Sequence, residues 1–348
     1  VDDGDKWSRF KGNIPKVAIR EMVIHPREHD LIMGTHGRGI FIIDDITPLR
    51  SLSDSILDEE LYFLPSRPYF ISSMGGSQSF RGDDEFIGSN PRDAVYISYY
   101  MNKRHIFGDM YLEVYNEKGN LIAELPAGKR KGINREAWTP REKPPKVPSS
   151  NVLSSGALFG PTQLPGTYTV RVIKGDKSFD GNVEIKFDPT LPHSKKDREM
   201  QLTTLRKAYD MLENLAFLDA KIQNVMEQIK ELEKDTSTIF RSASKLKEYH
   251  KKLNRMHKSL VATKIGGITG EEQLREKIAD IYGAVMRYYG RPTNSQIERL
   301  KVLNSELSKK QEDSILLLEK ELKSINDLLE KSGKKTITLL SREEFNKL

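Results

Sequence analysis

Residues 188–192 read Asp188-Pro189-Thr190-Leu191-Pro192 and separate two different kinds of sequence pattern. Before this stretch, apolar and polar residues alternate, as in Tyr168-Thr169-Val170-Arg171-Val172, which predicts β-strands with one buried face. After it, apolar residues recur about every 3.6 positions, which predicts α-helices. The two prolines interrupt regular backbone hydrogen bonding and favour a short joint between domains. The sequence therefore predicts a multidomain β plus α protein.

The composition limits the class of protein. The chain has 348 residues, of which 37% are hydrophobic and 30% charged, a balance typical of globular proteins rather than disordered chains. No apolar run approaches the roughly 18 residues of a membrane-spanning helix. The net charge is only +6 and the two signs are interleaved, so no nucleic-acid partner is predicted. The chain has no cysteine, which excludes disulfides, thiolate zinc sites and a cysteine nucleophile.

Residues 1–50 contain short apolar runs at the spacing of β-hairpins. The breaks at 25–30 and 34–39 contain proline and glycine, which turns require. The predicted strands are Val17–Ile19, Met22–Ile24, Leu31–Met33 and Ile40–Ile43. So few residues cannot close a core alone, and we expect this segment to pack against other strands.

A second β pattern extends from about residue 60 to residue 190. Its predicted strands are Tyr62–Leu64, Ala94–Tyr100, Met110–Tyr115, Leu121–Leu125, Arg135–Trp138, Gly166–Ile173 and Asn182–Phe187. Two segments rich in Gly, Ser, Asp or Pro, Ser72–Asn90 and Pro140–Gly160, interrupt the pattern and are predicted to be mobile loops. One buried and one solvated face on each strand favours a β-sandwich.

The remaining sequence predicts a helical bundle. Its four predicted helices are Lys195–Leu232, Ser242–Lys264, Gly270–Tyr289 and Thr293–Lys331. The first and last carry narrow apolar stripes that bury against partner helices, and Thr293 or Asn294 can cap the last helix. Residues 336–340 are apolar and β-branched and are predicted to pack back as an extended tail.

The first residues and the 34–45 stretch carry a family resemblance. Asp2, Gly4 and Trp7 have the separations of an Asp-box, the hairpin motif of BNR-repeat propellers. The stretch Gly34-Thr35-His36-Gly37-Arg38-Gly39-Ile40, followed by Asp44-Asp45-Ile46-Thr47-Pro48, resembles the final blade of bacterial sortilin-like BNR-repeat propeller proteins. Members of this family are often labelled as glycosyl hydrolases.

The resemblance extends along the rest of the chain. Gly132-Ile133-Asn134-Arg135-Glu136-Ala137-Trp138 is similar to a strand of Ig-like modules related to the flagellar hook-capping protein, and Pro165–Arg171 resembles their penultimate strand. The resemblance implies three domains. They are the last blade of a β-propeller at 1–58, an Ig-like β-sandwich at 59–191 and an antiparallel four-helix bundle at 192–348. It also implies that the remaining blades belong to a longer polypeptide that precedes Val1.

The candidate site residues lie mainly in the first fifty residues. The resemblance implies that Asp2, Gly4 and Trp7 have a structural role, with the Trp filling the blade. His36 and Arg38 can contact an anionic ligand, but ion pairing with the carboxylates of Asp44 and Asp45 is the favoured interpretation. Asp44 or Asp45 could supply one general acid, although neighbours on a strand point to opposite faces and cannot flank one bond together.

Other patterns carry less functional information. The seven histidines show no metal-ligand spacing, so no metal and no cofactor is predicted. A group of tyrosines could stack on sugars, although core packing is the favoured interpretation. Its members are Tyr96, Tyr99, Tyr100, Tyr111 and Tyr115. Likewise, the basic stretch Lys245–Leu253 is interpreted as a solvated helix face rather than a membrane-binding surface.

The resemblance implies an exported, extracytoplasmic protein with a non-catalytic scaffold role. The chain would close the propeller and dock on it, on other cell-envelope proteins or on polysaccharide, through the loops 72–90 and 140–160 and the exposed bundle face. The alternative is the C-terminal part of a propeller glycoside hydrolase that acts on polysaccharide. We favour the scaffold, because the sequence offers no complete His/Asp/Glu constellation within this chain.

Overall fold

The computed structural model describes residues 4, 5, 7, 14–71, 91–152, 155–234, 240–264 and 271–347. The chain divides into two compact units. The first comprises Val1–Arg141 and Gln163–Pro192, and the second comprises Glu142–Thr162 and His193–Leu348. The strands lie in the first unit and the long helices in the second, so the change of pattern at residues 188–192 does mark a structural boundary.

The strands of the first unit follow the alternating apolar pattern. Its described strands are β1 (Ile19–Ile24), β2 (Leu31–Thr35), β3 (Ile40–Ile43), β4 (Leu61–Leu64), β5 (Tyr69–Ile71), β6 (Val95–Met101), β7 (Met110–Tyr115), β8 (Leu121–Pro126), β9 (Gly132–Trp138), β10 (Gly166–Lys174) and β11 (Lys177–Phe187). Two short helices, α1 (Thr47–Arg50) and α2 (Asp54–Asp58), separate β3 from β4. The three-residue strand β5 and both helices were not predicted, because such short elements have too few residues to show a period.

Strands β1, β2 and β3 form an antiparallel sheet in that order. Met33 in β2 pairs with Met22 on one side and Phe41 on the other. The β2–β3 turn is closed by the Thr35 hydroxyl, which donates to the Gly39 carbonyl at 2.5 Å. Glycines with positive φ at 37 and 39 allow this turn, as the predicted turn residues require.

The other strands of the first unit form two sheets. One has the order β5-β11-β10-β7-β8 and the other β4-β6-β9. The two sheets face each other across aromatic side chains, because the rings of Trp138 in β9 and Tyr168 in β10 lie 5.3 Å apart. Tyr99 in β6 is fully buried, and its hydroxyl donates to the Gly128 carbonyl at 2.7 Å. Alternate residues of β7 and β10 are buried in this core, as their period of two predicts, whereas β6 is buried along almost its whole length.

Glu60 connects the two facing sheets at one end. It precedes β4, and its carboxylate accepts hydrogen bonds from Lys174 Nζ at 2.5 Å and from Lys177 Nζ at 2.6 Å on the β10–β11 hairpin. These two ammonium groups lower the pKa of Glu60 from 4.5 to about 2. The ionised carboxylate is therefore favoured in the folded chain.

The second unit is built on one long helix. Its described helices are α3 (Lys195–Lys234), α4 (Phe240–Leu260), α5 (Leu274–Met286), α6 (Asn294–Ile315), which continues through a π-helical segment (Leu316–Glu321) into α7 (Leu322–Lys331), and a short α8 (Arg342–Lys347). They share one apolar core that contains Leu212, Leu253 and Leu303. Thr293 caps α6 in a capping box with Gln296, as predicted. None of the helices in the part of the chain that the structure describes is long and apolar enough to cross a bilayer.

The segment 142–162 corrects one prediction. We expected the Pro- and Ser-rich stretch 140–160 to be a mobile loop of the sandwich, but 142–162 belongs to the helical unit. The Tyr282 hydroxyl of α5 donates to the Phe159 carbonyl at 2.8 Å, and Arg275 of α5 donates to the Val152 carbonyl at 2.9 Å. The residue types correctly indicated an irregular backbone, whereas long-range hydrogen bonds decide where it lies.

Two glycines allow this segment to approach α5 closely. A Cβ atom placed on Gly283 of α5 would lie 2.6 Å from the Cα of Gly156. No side chain can fit in that space, because the obstructing atoms belong to the backbone. Ala157, next to Gly156, is buried in the helical core. The contact therefore depends on the absence of side chains at both positions.

We predict that Gly283→Ala destabilises the helical unit. Alanine has the higher helix propensity and would stabilise an exposed helix by about 1 kcal/mol. Here the added methyl group forces the two backbones apart, and we expect a net loss of about 1–3 kcal/mol in the free energy of unfolding. Chemical denaturation followed by circular dichroism measures the change. Gly34→Ala is the control, because its Cβ would meet its nearest neighbour at 3.8 Å. A Gly283→Ala variant more stable than the native chain would contradict the prediction.

We predict a pH-dependent contribution from Glu60. Its pKa is lowered in the folded chain, so its stabilising effect is present above its ordinary pKa of 4.5 and is lost as the pH falls to about 2. Glu60→Gln should lower stability at neutral pH by less than about 1 kcal/mol, because the pair is partly exposed. The difference between the two proteins should disappear between pH 4.5 and about 2 in thermal unfolding scans. A difference that persists at the acid end would show that Glu60 acts through packing.

Candidate functional site

The turn after β3 brings together the acidic residues that the sequence singles out. Asp45 is buried and has a positive φ of 45°, a conformation that aspartate tolerates better than most residues. Its backbone N–H donates to Asp30 Oδ1 at 2.8 Å, and its own Oδ1 accepts from the Thr47 backbone N–H at 3.2 Å. The second of these bonds satisfies the backbone N–H of Thr47, the first residue of α1. Asp44 and Asp45 therefore lie in a turn. The sequence analysis treated them as neighbours on a strand, and that prediction was wrong.

Arg135 of β9 joins this turn to the facing sheets. One guanidinium nitrogen lies 3.2 Å from Asp45 Oδ2, and another donates to the Asp44 carbonyl at 2.9 Å. The guanidinium also lies 4.2 Å from the centre of the Tyr96 ring, which adds a cation–π contact. Because the Asp45 side chain is only 2% exposed, this ion pair is screened little by water.

A second pair of contacts holds the preceding loop. The His29 imidazole and the Thr47 hydroxyl share a hydrogen bond of 2.8 Å, and the His29 carbonyl accepts from the Ile46 backbone N–H at 2.9 Å. His29 also has a positive φ, of 59°. His29 and Asp45, the two described non-glycine residues with positive φ, therefore belong to one hydrogen-bond network with Asp30 and Thr47.

Asp44 differs from Asp45 in its electrostatic environment. Burial raises the pKa of the Asp44 carboxyl, and the nearby carboxylates of Asp30 and Asp45 add to this effect, whereas Arg135 opposes it. A carboxyl group with a raised pKa has the property of a general acid. The glycosidase alternative would need Asp44 in this role together with a second carboxylate, and it stays a hypothesis.

His36 and Arg38 do not pair with these carboxylates in the described part of the chain. Both are exposed in the β2–β3 turn, and the Arg38 backbone N–H donates to the Thr35 hydroxyl at 3.2 Å. Asp44 and Asp45 follow the opposite end of β3, one strand length away. The predicted ion pairs are therefore replaced by Arg135, and the interpretation of His36 and Arg38 as ligand contacts stays untested.

The Asp-box residues are only partly described. Asp2 lies outside the described residues. Gly4 has a positive φ of 97°, and a Cβ atom placed on it would lie 3.9 Å from the Trp7 ring. Trp7 is 91% exposed, which differs from the packed position that the resemblance implies. Its packing requires partners that the described residues do not supply.

A cleft opens beside this network within the first unit. It has a volume of about 680 Å³. Its polar and aromatic lining residues are Arg27, Glu28, His29, Arg67, Tyr69, Phe70, Arg92, Asp93, Tyr96 and Asp188. Glu28 pairs with both Arg27 and Arg67, and Tyr69 donates to Asp93 at 2.8 Å. Burial and the nearby guanidinium of Arg135 lower the pKa of Arg67. Three arginines and three carboxylates thus line the cleft, and their charges largely balance each other.

The sequence analysis did not predict that Arg135 pairs with Asp45 or that Arg67 lines the cleft. Arg135 was noted only within the strand that carries the family resemblance, and no local pattern links it to Asp45, 90 residues away. The tyrosines do not form one platform, because Tyr99 and Tyr100 are buried in β6 whereas Tyr111 and Tyr115 lie on the other sheet. Within the described residues, no group of three or more His, Cys, Asp or Glu side chains could hold a metal ion.

Comparisons with known proteins give distant structural likenesses. No family model matches the sequence, and no curated protein matches it. One similar structure is PorZ, an essential bacterial surface component of the type-IX secretion system of Porphyromonas gingivalis, with 14% identity and a TM-score of 0.19. Its alignment covers 48% of this chain but only 16% of the PorZ chain. Another is CopC from Methylosinus trichosporium OB3b, with 15% identity, a TM-score of 0.17, and coverage of 29% of this chain and 84% of CopC. At these scores, neither likeness assigns a fold or a function.

We predict that Arg135→Ala destabilises the first unit by about 3 kcal/mol, because it leaves the buried Asp45 carboxylate without its cation. Denaturant unfolding monitored by tryptophan fluorescence measures the loss, since Trp138 lies on the same strand. Arg38→Ala is the matched control, because Arg38 is exposed and forms no ion pair in the described part of the chain. Equal stability of the two variants would show that the Arg135 ion pair is not important for the fold.

Proposed function

We propose that this chain is the non-catalytic scaffold and interaction region of an exported sortilin-like propeller protein. In this proposal, residues 1–58 form the last propeller blade and 59–191, apart from 142–162, form an Ig-like sandwich. Residues 192–348 form an antiparallel helical bundle. The chain closes the propeller and docks on its other blades, on cell-envelope proteins or on polysaccharide, in an extracytoplasmic location.

The observation that carries this proposal is the exposed apolar surface of the β1–β3 sheet. Val23, Ile32 and Ile42 lie opposite one another in register across the three strands and share one face. Val23 is 50% exposed and Ile42 is 56% exposed, and Ile40 next to them is 71% exposed. A contiguous apolar ladder on a sheet face normally packs against another element.

The opposite face of this sheet adds support. Met22 and Ile24 of β1 are 64% and 44% exposed. Strand β1 is therefore apolar on both sides and stands at the edge of its sheet. A propeller blade packs between neighbouring blades, so apolar residues on both faces are expected of it. An isolated surface sheet would instead present one polar face.

We predict that Val23→Thr combined with Ile42→Thr has different effects in the two forms of the protein. In the 348-residue chain, the free energy of unfolding should change by less than about 0.5 kcal/mol, because both side chains are exposed and threonine keeps the strand propensity. In the intact native protein, neighbouring blades would cover them, and a loss of about 1–3 kcal/mol is expected. Val302→Thr on α6, where the valine is also 50% exposed, is the control.

Before the threonine variants are compared, the intact mass and the N-terminal sequence of the native protein must be measured. The proposal requires a polypeptide heavier than 39.8 kDa, with sequence that precedes Val1. A native protein that starts at Val1 and is a stable monomer would overturn the assignment of residues 1–58 to a propeller blade. If the native protein is longer, the two threonine substitutions should cost it more unfolding free energy than they cost the 348-residue chain. An equal loss in the two forms would overturn the packing of this face against other blades.

A further inference from the structure

The loop between β6 and β7 presents two large apolar side chains to solvent. Ile106 is 68% exposed and Phe107 is 85% exposed. They are adjacent and stand at the tip of the loop formed by residues 102–109. Single exposed apolar residues are common on protein surfaces. Two neighbours at a loop tip expose a larger apolar area, and removing that area from water lowers the free energy.

Hydrogen bonds hold this loop against the neighbouring loop at residues 127–131. The His105 backbone N–H donates to the Lys129 carbonyl at 3.0 Å. In turn, Lys129 Nζ donates to the Gly108 carbonyl at 3.3 Å, and the His105 ring lies within hydrogen-bond distance of the same oxygen at 3.2 Å. Gly108 closes the turn with a positive φ of 87°. The apolar tip is thus preorganised, which reduces the ordering entropy that binding would cost.

The second loop is itself fixed to the sheet. The Asn134 side chain of β9 accepts from the Arg130 backbone N–H at 3.1 Å and donates to the Arg130 carbonyl at 2.8 Å. Gly128 packs against Asn134 so closely that a Cβ atom would lie 2.6 Å from its Oδ1. Residues 102–109 and 127–131, here named the basic loop pair, therefore form one rigid surface at an end of the two facing sheets.

Basic residues dominate the two loops that carry and support the apolar tip. The basic loop pair contains five exposed basic side chains and a single acidic residue, Asp109. The basic residues are Lys103, Arg104, Lys129, Arg130 and Lys131. No carboxylate in the described ranges lies within ion-pair distance of these five groups, whereas the nearby Lys174 and Lys177 are both paired with Glu60. The positive charge around Ile106 and Phe107 is therefore not neutralised by described residues.

We propose that the basic loop pair docks on an anionic lipid bilayer, with Ile106 and Phe107 inserted at the boundary between headgroups and acyl chains. The five cations then face lipid phosphates at the level of the headgroups. A bilayer surface offers negative charge above an apolar layer, which is the complement of an exposed apolar tip on a surface rich in unpaired cations. Phenylalanine and aliphatic side chains are the groups that interfacial segments bury at this depth. Both tip side chains are highly exposed, and a fluid surface accommodates them without a matching groove.

Vesicle co-sedimentation of the full chain tests the proposal. The native chain should bind vesicles of phosphatidylcholine mixed with phosphatidylglycerol, bind vesicles of phosphatidylcholine alone far more weakly, and dissociate as the salt concentration rises. Ile106→Ser combined with Phe107→Ser should weaken binding to the mixed vesicles by about tenfold or more. Lys103→Glu combined with Lys131→Glu, which leaves the Lys129 hydrogen bond to Gly108 in place, should abolish the preference for anionic lipid.

The chain offers a matched control for each variant. Leu158 and Phe159 form a second exposed aliphatic–phenylalanine pair, 61% and 56% exposed, and residues 150–162 around them contain no lysine or arginine. Leu158→Ser combined with Phe159→Ser should leave binding unchanged. Lys247→Glu combined with Lys251→Glu makes the same charge change on the exposed face of α4 and should also retain the preference for anionic lipid.

Either of two results would overturn the proposal. One is a native chain that fails to bind phosphatidylglycerol vesicles at low salt, in which case the surface would have to suit a protein partner. The other is binding that the Ile106 and Phe107 substitutions leave unchanged while their circular dichroism and thermal unfolding match the native chain. The proposal does not depend on the propeller assignment, because the experiment uses only the 348-residue chain.

Discussion

The buried carboxylate of Asp45 is the group through which the β1–β3 sheet is attached to the rest of the first unit. A charge so well shielded from water is costly unless a cation meets it, and Arg135 of β9 is that cation. The β1–β3 sheet has few buried side chains of its own, since Met33 is the one fully buried apolar residue among its described strands. Its attachment to the facing sheets therefore relies on a polar link that also engages the Asp44 carbonyl and the Tyr96 ring.

This constraint explains why two residues of the region have unusual backbone conformations. His29 and Asp45 are the non-glycine residues with positive φ in the described part of the chain, and they lie on the two loops that hydrogen-bond to each other. Each conformation costs some free energy, which the hydrogen bonds to Asp30 and Thr47 offset. The turn thus positions the Asp45 carboxylate toward Arg135. The contacts of Asp45 therefore favour a structural role as the partner of Arg135 over a catalytic role.

The helical unit is stabilised by apolar packing and must accommodate a buried irregular segment. Its core is a continuous set of aliphatic side chains along α3, α4, α5 and α6, and the irregular segment 142–162 covers one part of it. That segment buries backbone groups, and they are satisfied by side chains of α5 such as Arg275 and Tyr282. Close approach at Gly156 and Gly283 makes this possible. Both units have an apolar core, but they attach their outlying segments differently: a charge pair holds the β1–β3 sheet in the first unit, whereas small residues and hydrogen bonds hold segment 142–162 in the second.

Local sequence determined the type and position of most elements, because a period of two or 3.6 and the turn residues around it act over a few neighbouring residues. The strands from β6 to β11, the long helices and the Thr293 cap could all be predicted in this way. Only the tertiary structure decided that Arg135 rather than His36 or Arg38 meets Asp45, that 142–162 packs with the helices, and that the loops at 102–109 and 127–131 lie side by side. Each of these depends on groups that are far apart along the chain, and no local pattern encodes which distant partner will satisfy a buried charge or an unpaired backbone group.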